Sequence, residues 1–583
     1  MTDDRWRMTE STRRLAVHDG RRAAVVIFIV LSAIYALTLA PGLTWWDAGE
    51  LALAADGFGI PHPPGTPLFV ALARSWHLLM PGVPTVLATN VLSAVASAAA
   101  CALLGAWLAW SLGDARAGMV AGIATGAMTS VWRNATETEV YALVLLAVAL
   151  VLVAADAAGR SRDARWRLLA VYTLALGYTL HPGVLVVTPA ALVLAWPVAR
   201  PALPHAGATR ARTAWWREAL AAAALALLAL TALAMLWLRA RHDPWLNQGN
   251  PASLGAFGDV VARAQYGGGG VWPRQSAWWA QLGMVVQYLD WQFALGASPG
   301  TVPTWPRALL SVLFLAVLGA GARWHWRRDR RTAVAAGTLL AVGTLGAAFA
   351  LNFRTGWSFS LGHLLDGAVR EARERDYFFS FGFAACGLWY GLGVRALASR
   401  FDASRVRLGR ALLVAGVLAP VLLNWRATTR RGADAALPRE FAARVLRDLP
   451  PNAVFVATGD NELYPLWYVQ GAEGLRPDVL VVAEPLLTTA WYRAELARRS
   501  GFLFGDAWRG ASQMRALVVA QAAERGRPVY EAAYADEQLL AQLWSRGSGM
   551  IGGHSEPFSR VVVALLQEDR VVRAVGGGRQ MGR

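Results

Sequence analysis

The residues best suited to chemistry follow the first apolar stretch of the chain. Asp47 and Glu50 stand three apart beside Trp45 and Trp46, and His62 precedes the turn Pro63-Pro64-Gly65. A carboxylate partly shielded from water has its pKa raised towards the working range of a general base. The same spacing fits a helix capping box formed by Asp47 and Glu50, with the prolines leading into a further helix, and the two roles can coexist. Four smaller groups come later. TETEVYAL (136–143) carries Glu139 and Tyr141, where acids also suit a helix N-terminus. GYTLHPG (177–183) sets His181 in a tight turn between apolar runs, the plainer alternative being a helix-ending histidine. REARERDYFF (370–379) packs Arg370, Arg373 and Arg375 with Glu371, Glu374 and Asp376. That cluster reads either as a solvated ion-pair patch or as a phosphate clamp built on bidentate arginine. ATGDNELYPLWY (457–468) places Asp460 just beyond a strand, where open α/β sheets hold ligand groups, although Asp460 suits a helix cap equally well.

Other chemistries are excluded. All 56 basic residues are arginine, so Schiff-base chemistry and a lysine phosphate loop are out. Cys101 and Cys386 lie in apolar runs, which rules out a disulfide framework or a zinc site, and the acids are too scattered to argue for a metal. Tyr266 precedes a four-glycine run that follows no strand, so nucleotide binding is a poor reading.

The elements that must position these groups are membrane helices. The chain is 583 residues long, 55% hydrophobic and 16% charged, against about 25% charged in soluble domains. About eleven apolar runs approach the length of a span, near 23–40, 85–112, 117–133, 139–157, 167–181, 183–199, 218–238, 306–322, 332–351, 377–397 and 409–424. The thirteen residues 68–80 are too short to cross and contain Arg74 and His77, so they read as an interfacial helix. With that assignment the Arg-rich segments 158–167, 199–217, 323–331 and 398–410 all fall on the cytoplasmic side, in keeping with the positive-inside rule. They hold seventeen arginines and three acids, so most of the net +17 is a topology signal and not a nucleic-acid footprint. Residues 41–84, 239–305, 352–376 and everything after Trp425 then lie outside, together with the polar candidates.

The predicted architecture is an all-α polytopic membrane domain with a small exoplasmic α/β domain. Residues 1–22 form a cytoplasmic N-terminus, 23–431 the transmembrane catalytic domain and 432–583 the α/β domain. AVFVA (453–457) and DVLVVAE (478–484) read as buried strands with parallel pairing, and the last ten residues as a frayed end.

In chain order, D-A-G-E-L, H-P-P-G-x-P-L, E-x-E-V-Y, His181-Pro182, R-x-Q-Y-G, E-R-D-Y-F, G-D-N-E and R-P-D-V resemble a membrane family. It was long catalogued as a domain of unknown function and is now associated with protein O-mannosyltransferases. The resemblance covers roughly residues 20–500. It implies a GT-C glycosyltransferase, in which the first exoplasmic loop holds an essential acid and helices lying along the membrane. The implied reaction is inverting transfer of mannose from a polyprenyl-phosphate donor to Ser or Thr of a translocated protein. Asp47 and Glu50 would be catalytic, with Asp47 the base. Arg375 and Arg373 would stabilise the phosphate, and His62, Glu139, Tyr141, His181, Tyr266, Asp376 and Asp460 would complete the substrate-binding set. No cofactor is expected beyond the lipid-linked donor, with a divalent ion, which some GT-C enzymes use, as the alternative, and the implied setting is a bacterial inner membrane with the site facing outward. A lipid or cell-envelope glycan as acceptor is the nearest alternative. A transporter or flippase is disfavoured, because the acids cluster at one interface and no two-fold internal repeat is visible.

Overall fold

A computed structural model describes residues 10–161, 163–197, 208–267, 270–297, 304–356, 358–359, 370–371, 373–401, 405–505, 510–533 and parts of 562–575. Part of the four-glycine run and the expected frayed end lie outside the described residues. The chain divides into two compact units, one of residues 1–39, 93–233 and 268–429, the other of residues 40–92, 234–267 and 430–583.

The first unit is helical. Among the described residues, eight helices in the whole chain are long and apolar enough to cross a membrane: His18–Thr38, Thr85–Leu112, Val140–Ser161, Trp216–Ala240, Trp305–Arg328, Arg330–Leu351, Asp376–Phe401 and Val406–Thr428. These make it an integral membrane protein. The other three apolar runs are also helical, but shorter or broken. One is Ala115–Gly126 followed by Thr129–Ala135, with extended backbone at Met128 between them. The next is Ala164–Tyr178, and the last is a 3-10 turn Pro182–Val187 continuing into Thr188–Ala195. The breaks have local causes, since Pro182 and Pro189 each sit in the first turn of a new element, where a missing N–H costs nothing.

Asp376–Phe401 is the most deeply buried of the eight. It crosses Trp305–Arg328 through glycines: a Cβ on Gly321 would lie 1.8 Å from the Trp389 carbonyl oxygen, and one on Gly393 would lie 1.9 Å from that of Val317. Hydrocarbon offers helices little hydrophobic drive to associate, so close backbone approach through small residues supplies the contact.

The second unit contains a four-stranded sheet, β1 Val454–Ala457, β2 Leu480–Ala483, β3 Val529–Ala532 and β4 Val572–Ala574, in the order β2-β1-β3-β4. β1 pairs in parallel with β2, as the two apolar runs predict, and also with β3, which the sequence reading did not name; β4 closes the edge antiparallel to β3. The R-P-D-V segment is structural. Arg476 reaches the carbonyls of Leu446, Leu449 and Pro450 while pairing with Asp478, which fixes the entry to β2.

Residues 40–92 and 234–267 belong to this unit, although the sequence groups them with the membrane domain. The segment read as interfacial is the helix Pro67–Leu78. Phe69, Val70 and Ala73 are buried, Leu72, Leu78 and Leu79 exposed, and the two polar residues that interrupt it bond locally, Arg74 to the Asp56 carbonyl and His77 to that of Val83.

Candidate functional site

Within the second unit, D-A-G-E-L opens the helix Ala48–Gly57. Trp46, one residue ahead of Asp47, adopts a left-handed backbone with φ 64°, a conformation costly for a bulky side chain. It is held there from both sides, its N–H donating to Asn461 Oδ1 at 2.9 Å while neighbouring Trp45 packs edge-on against Phe441. Asp47 follows at the N-cap position, partly exposed, its carbonyl accepting from Leu51 N at 2.9 Å. Its side chain makes no cap bond. The capping box is therefore overturned, and Glu50 shows why.

Glu50 is fully buried, and both of its oxygens are engaged outside its own helix. Oε1 accepts from the His62 backbone N–H at 2.7 Å and from Gln248 Nε2, and Oε2 meets His62 Nδ1 at 2.5 Å. A buried carboxylate must find partners, and here they come from the H-P-P-G loop and from the segment around Gln248. That segment is aligned by a short parallel bridge, Ile60 N–H donating to Leu246 O and Gln248 N–H to Ile60 O. Burial lowers the His62 pKa, but the charge of Glu50 outweighs it, with smaller contributions from Tyr266 and Asp47, and the imidazole is held well above its usual value. His62, Glu50 and Tyr266 thus lie in one electrostatic neighbourhood, although Tyr266 itself is about half exposed.

The helix Asp460–Gly471 closes this cluster. Asp460 is exposed and is no cap: Gly459 holds the cap position, and Glu462 reaches back to the N–H and hydroxyl of Thr458. The neutral neighbour Asn461 grips Trp46. One turn on from Asp460, buried Tyr464 has its pKa pushed well up, by burial first and then by the charges of Asp460, Glu50 and Asp47. Asn461, Gln248 and Tyr464 were missed by sequence reasoning. Neutral amides carry no charge signature, and only the i, i+4 spacing of Tyr464 from Asp460 hinted at a shared face. The helices touch through Gly49, where a Cβ would stand 2.6 Å from the Tyr464 carbonyl oxygen. Gly49→Ala should therefore destabilise the protein by about 1–3 kcal/mol, read as a lower thermal midpoint in detergent.

The remaining candidates lie in the first unit. Glu139 is buried at the start of Val140–Ser161 and pairs with Arg373 at 3.0 Å. The Arg373 guanidinium lies 4.3 Å from the centre of the Tyr377 ring. Tyr141 stacks among His181, Tyr377 and Phe378, with ring centres 5.1–5.4 Å away. His181 caps the turn that follows it, its Nδ1 accepting from Gly183 N at 3.0 Å. Asp376 accepts from Ser130 Oγ at 2.8 Å in a buried network with Gln292, which points to a locking role.

Arg375 donates through Nε and one terminal nitrogen to Glu371, and through the other to the Tyr377 hydroxyl at 2.7 Å. Burial opposes its charge, but Tyr377 and Glu371 more than compensate and raise its pKa. Among the described residues three of its five N–H groups find partners and its side chain is 28% exposed, which leaves two for an incoming oxyanion. Its backbone N–H donates to the Tyr288 hydroxyl, which in turn donates to Glu374 at 2.6 Å. The solvated-patch reading of E-R-D-Y-F fails, because each arginine is braced by buried neighbours. Among the described residues no group of three or more His, Cys, Asp or Glu is arranged to hold a metal ion.

The fold has a solved counterpart. ArnT from Cupriavidus metallidurans, in a crystal structure bound to undecaprenyl phosphate, superposes with a TM-score of 0.52 at 12% identity, covering 95% of this chain and 99% of that one. At that identity the likeness is one of fold. Two family models match the sequence, the protein O-mannosyl-transferase TMEM260 N-terminal domain over residues 47–200 and TMEM260-associated domain 2 over residues 438–501. The mouse protein O-mannosyl-transferase TMEM260 is 26% identical over 502 residues, 84% of this chain. The Dictyostelium discoideum protein O-mannosyl-transferase tmem260 is 42% identical over 57 residues, 10% of this chain. The matched regions span 66% of the mouse protein and 7% of the Dictyostelium one. Over these regions the chain is similar to the TMEM260 protein O-mannosyl-transferases.

Proposed function

We propose that the protein is an inverting glycosyltransferase that moves mannose from a polyprenyl-phosphate donor to Ser or Thr hydroxyls of proteins at the exoplasmic face of a bacterial inner membrane. The observation that carries this reading is the way Asp47 is held. It is partly exposed, follows a residue fixed in a costly conformation, and flanks a Glu50–His62–Gln248 network, with Glu50 and Gln248 buried, that immobilises its helix. A group kept ready at such cost suits general-base work. The names of the mouse and Dictyostelium relatives support a protein acceptor, and the undecaprenyl phosphate bound to ArnT supports a polyprenyl-phosphate donor.

In this reading Asp47 takes the proton of the acceptor hydroxyl as its oxygen attacks the anomeric carbon. The bond from that carbon to the phosphate oxygen breaks on the opposite face, and the lipid phosphate leaves with the electron pair. Inversion follows from this opposed arrangement. In the first unit, Arg375 offers two N–H groups with no partner among the described residues, a preorganised pair of donors suited to a phosphate oxyanion. Glu50 acts by positioning, since its oxygens are spent on His62 and Gln248.

The test is incubation of the purified chain with polyprenyl-phosphate mannose and Ser/Thr-containing acceptor proteins. Mannose transfer with inverted anomeric configuration is expected; transfer only to lipid or glycan acceptors would overturn the protein-acceptor reading. Arg375→Lys, which keeps the charge but loses the planar fork, should lower turnover by about 10²-fold with little change in acceptor KM.

A further inference from the structure

A cavity of about 310 Å³ lies wholly within the second unit, between the segment Trp245–Gln248, the helices Asp460–Gly471 and Ala490–Ser500, and the start of β2. We propose that it binds a neutral saccharide ring. Three tryptophans line it, Trp245, Trp467 and Trp491, with Trp245 and Trp467 edge-to-face at 6.3 Å and Trp245 still 37% exposed. Flat aromatic faces beside polar groups suit the C–H surface and hydroxyl rim of a pyranose.

The charged groups in the wall already have protein partners, Arg527 donating to the carbonyls of Asn452, Ala453 and Asp478, so a neutral ligand leaves these pairings intact. Glu495 is paired with Arg498 and Arg499, and Asp478 with Arg476. Arg499 also donates to the Trp245 carbonyl at 2.8 Å and lies over its ring. Two buried neutral polar atoms of wall residues, the acceptor Asn247 Oδ1 and the donor Trp491 Nε1, have no partner among the described residues. One acceptor and one donor are what a hydroxylated ring can satisfy together, and the volume sits at the lower end for small-molecule sites, suiting one or two sugar rings better than a lipid chain.

The site stands on this cavity and does not rest on the transferase reading, but the two are connected. Gln248 belongs to the cavity wall and also donates to Glu50, so a bound sugar presses on the segment that holds Glu50 and His62.

The test uses the full chain in detergent, tryptophan fluorescence and ligand-observed NMR, and a panel of methyl α- and β-pyranosides of mannose, glucose and galactose. Saturable binding of at least one member is expected. Trp245→Ala should weaken it about tenfold, and Trp491→Phe, which keeps the ring but removes the N–H, several-fold. Asp47→Asn should bind the same sugar unchanged even where transfer is lost, which separates failure of this site from failure of the transfer reaction. No saturable binding to the folded wild type would overturn the proposal. So would equal binding by Trp245→Ala and Trp491→Phe, or occupation by a Ser/Thr peptide that no sugar displaces.

Discussion

Asp47→Asn is expected to lower sugar transfer by about 10²- to 10⁴-fold, the range general-base catalysis supplies. The substitution preserves size and hydrogen-bonding reach while removing the group that accepts the proton. Asp47 makes no side-chain cap bond, and its helix is fixed by neighbours: Trp46 by Asn461, and Glu50 by His62 and Gln248. The thermal midpoint should therefore stay near wild type, as for a partly exposed position outside the packed core. The loss should fall on kcat, with donor KM little changed, because the proton is in flight only in the transition state. Single-turnover measurement with saturating donor separates these quantities. A wild-type rate in Asp47→Asn would remove the base assignment, whatever the donor proves to be.

The membrane helices were legible because their determinant is local: a run of about twenty apolar residues can satisfy its backbone only as a helix. Each apolar run predicted as a span is helical; that near 117–133 is interrupted at the extended Met128, that near 183–199 carries Pro189 in the first turn of its helix, and that near 167–181 is unbroken but short. β1 and β2 were legible for a similar reason, being short apolar runs buried on both faces. The grouping of 40–92 and 234–267 with 430–583 was not. It depends on contacts between residues hundreds of positions apart, such as Trp46 with Asn461 and Glu50 with Gln248, and no periodicity encodes them. The acids stood out by charge, but their partners did not. Asp460 drew notice where Asn461 makes the contact, and the capping box fitted Asp47 and Glu50 locally until burial gave Glu50 partners from elsewhere.

The second large effect is expected at Glu50 and differs in kind. Glu50→Ala would leave the His62 backbone N–H, the His62 ring and the Gln248 amide facing a cavity with no acceptor. Breaking a buried pair by removing one partner costs about 3–5 kcal/mol, and about 2–3 is expected here because the His62 ring is 28% exposed. The thermal midpoint should fall by many degrees, and turnover should fall with it because the helix carrying Asp47 loosens. Glu50→Gln should recover part of the stability, since its amide oxygen still serves one donor while its NH2 opposes another. The pH dependence gives a further check. Glu50 raises the His62 pKa above its unfolded value, so the stabilisation from the pair is complete below the ordinary histidine pKa and is lost as pH rises through the raised folded value. Wild type should therefore lose stability on the alkaline side through this pair, whereas Glu50→Gln should show a flatter profile over the same range. If Glu50 were itself the base, Glu50→Gln would abolish turnover with its midpoint unchanged. Measuring midpoint and rate on one preparation decides between the two roles, and the positioning role requires them to fall together.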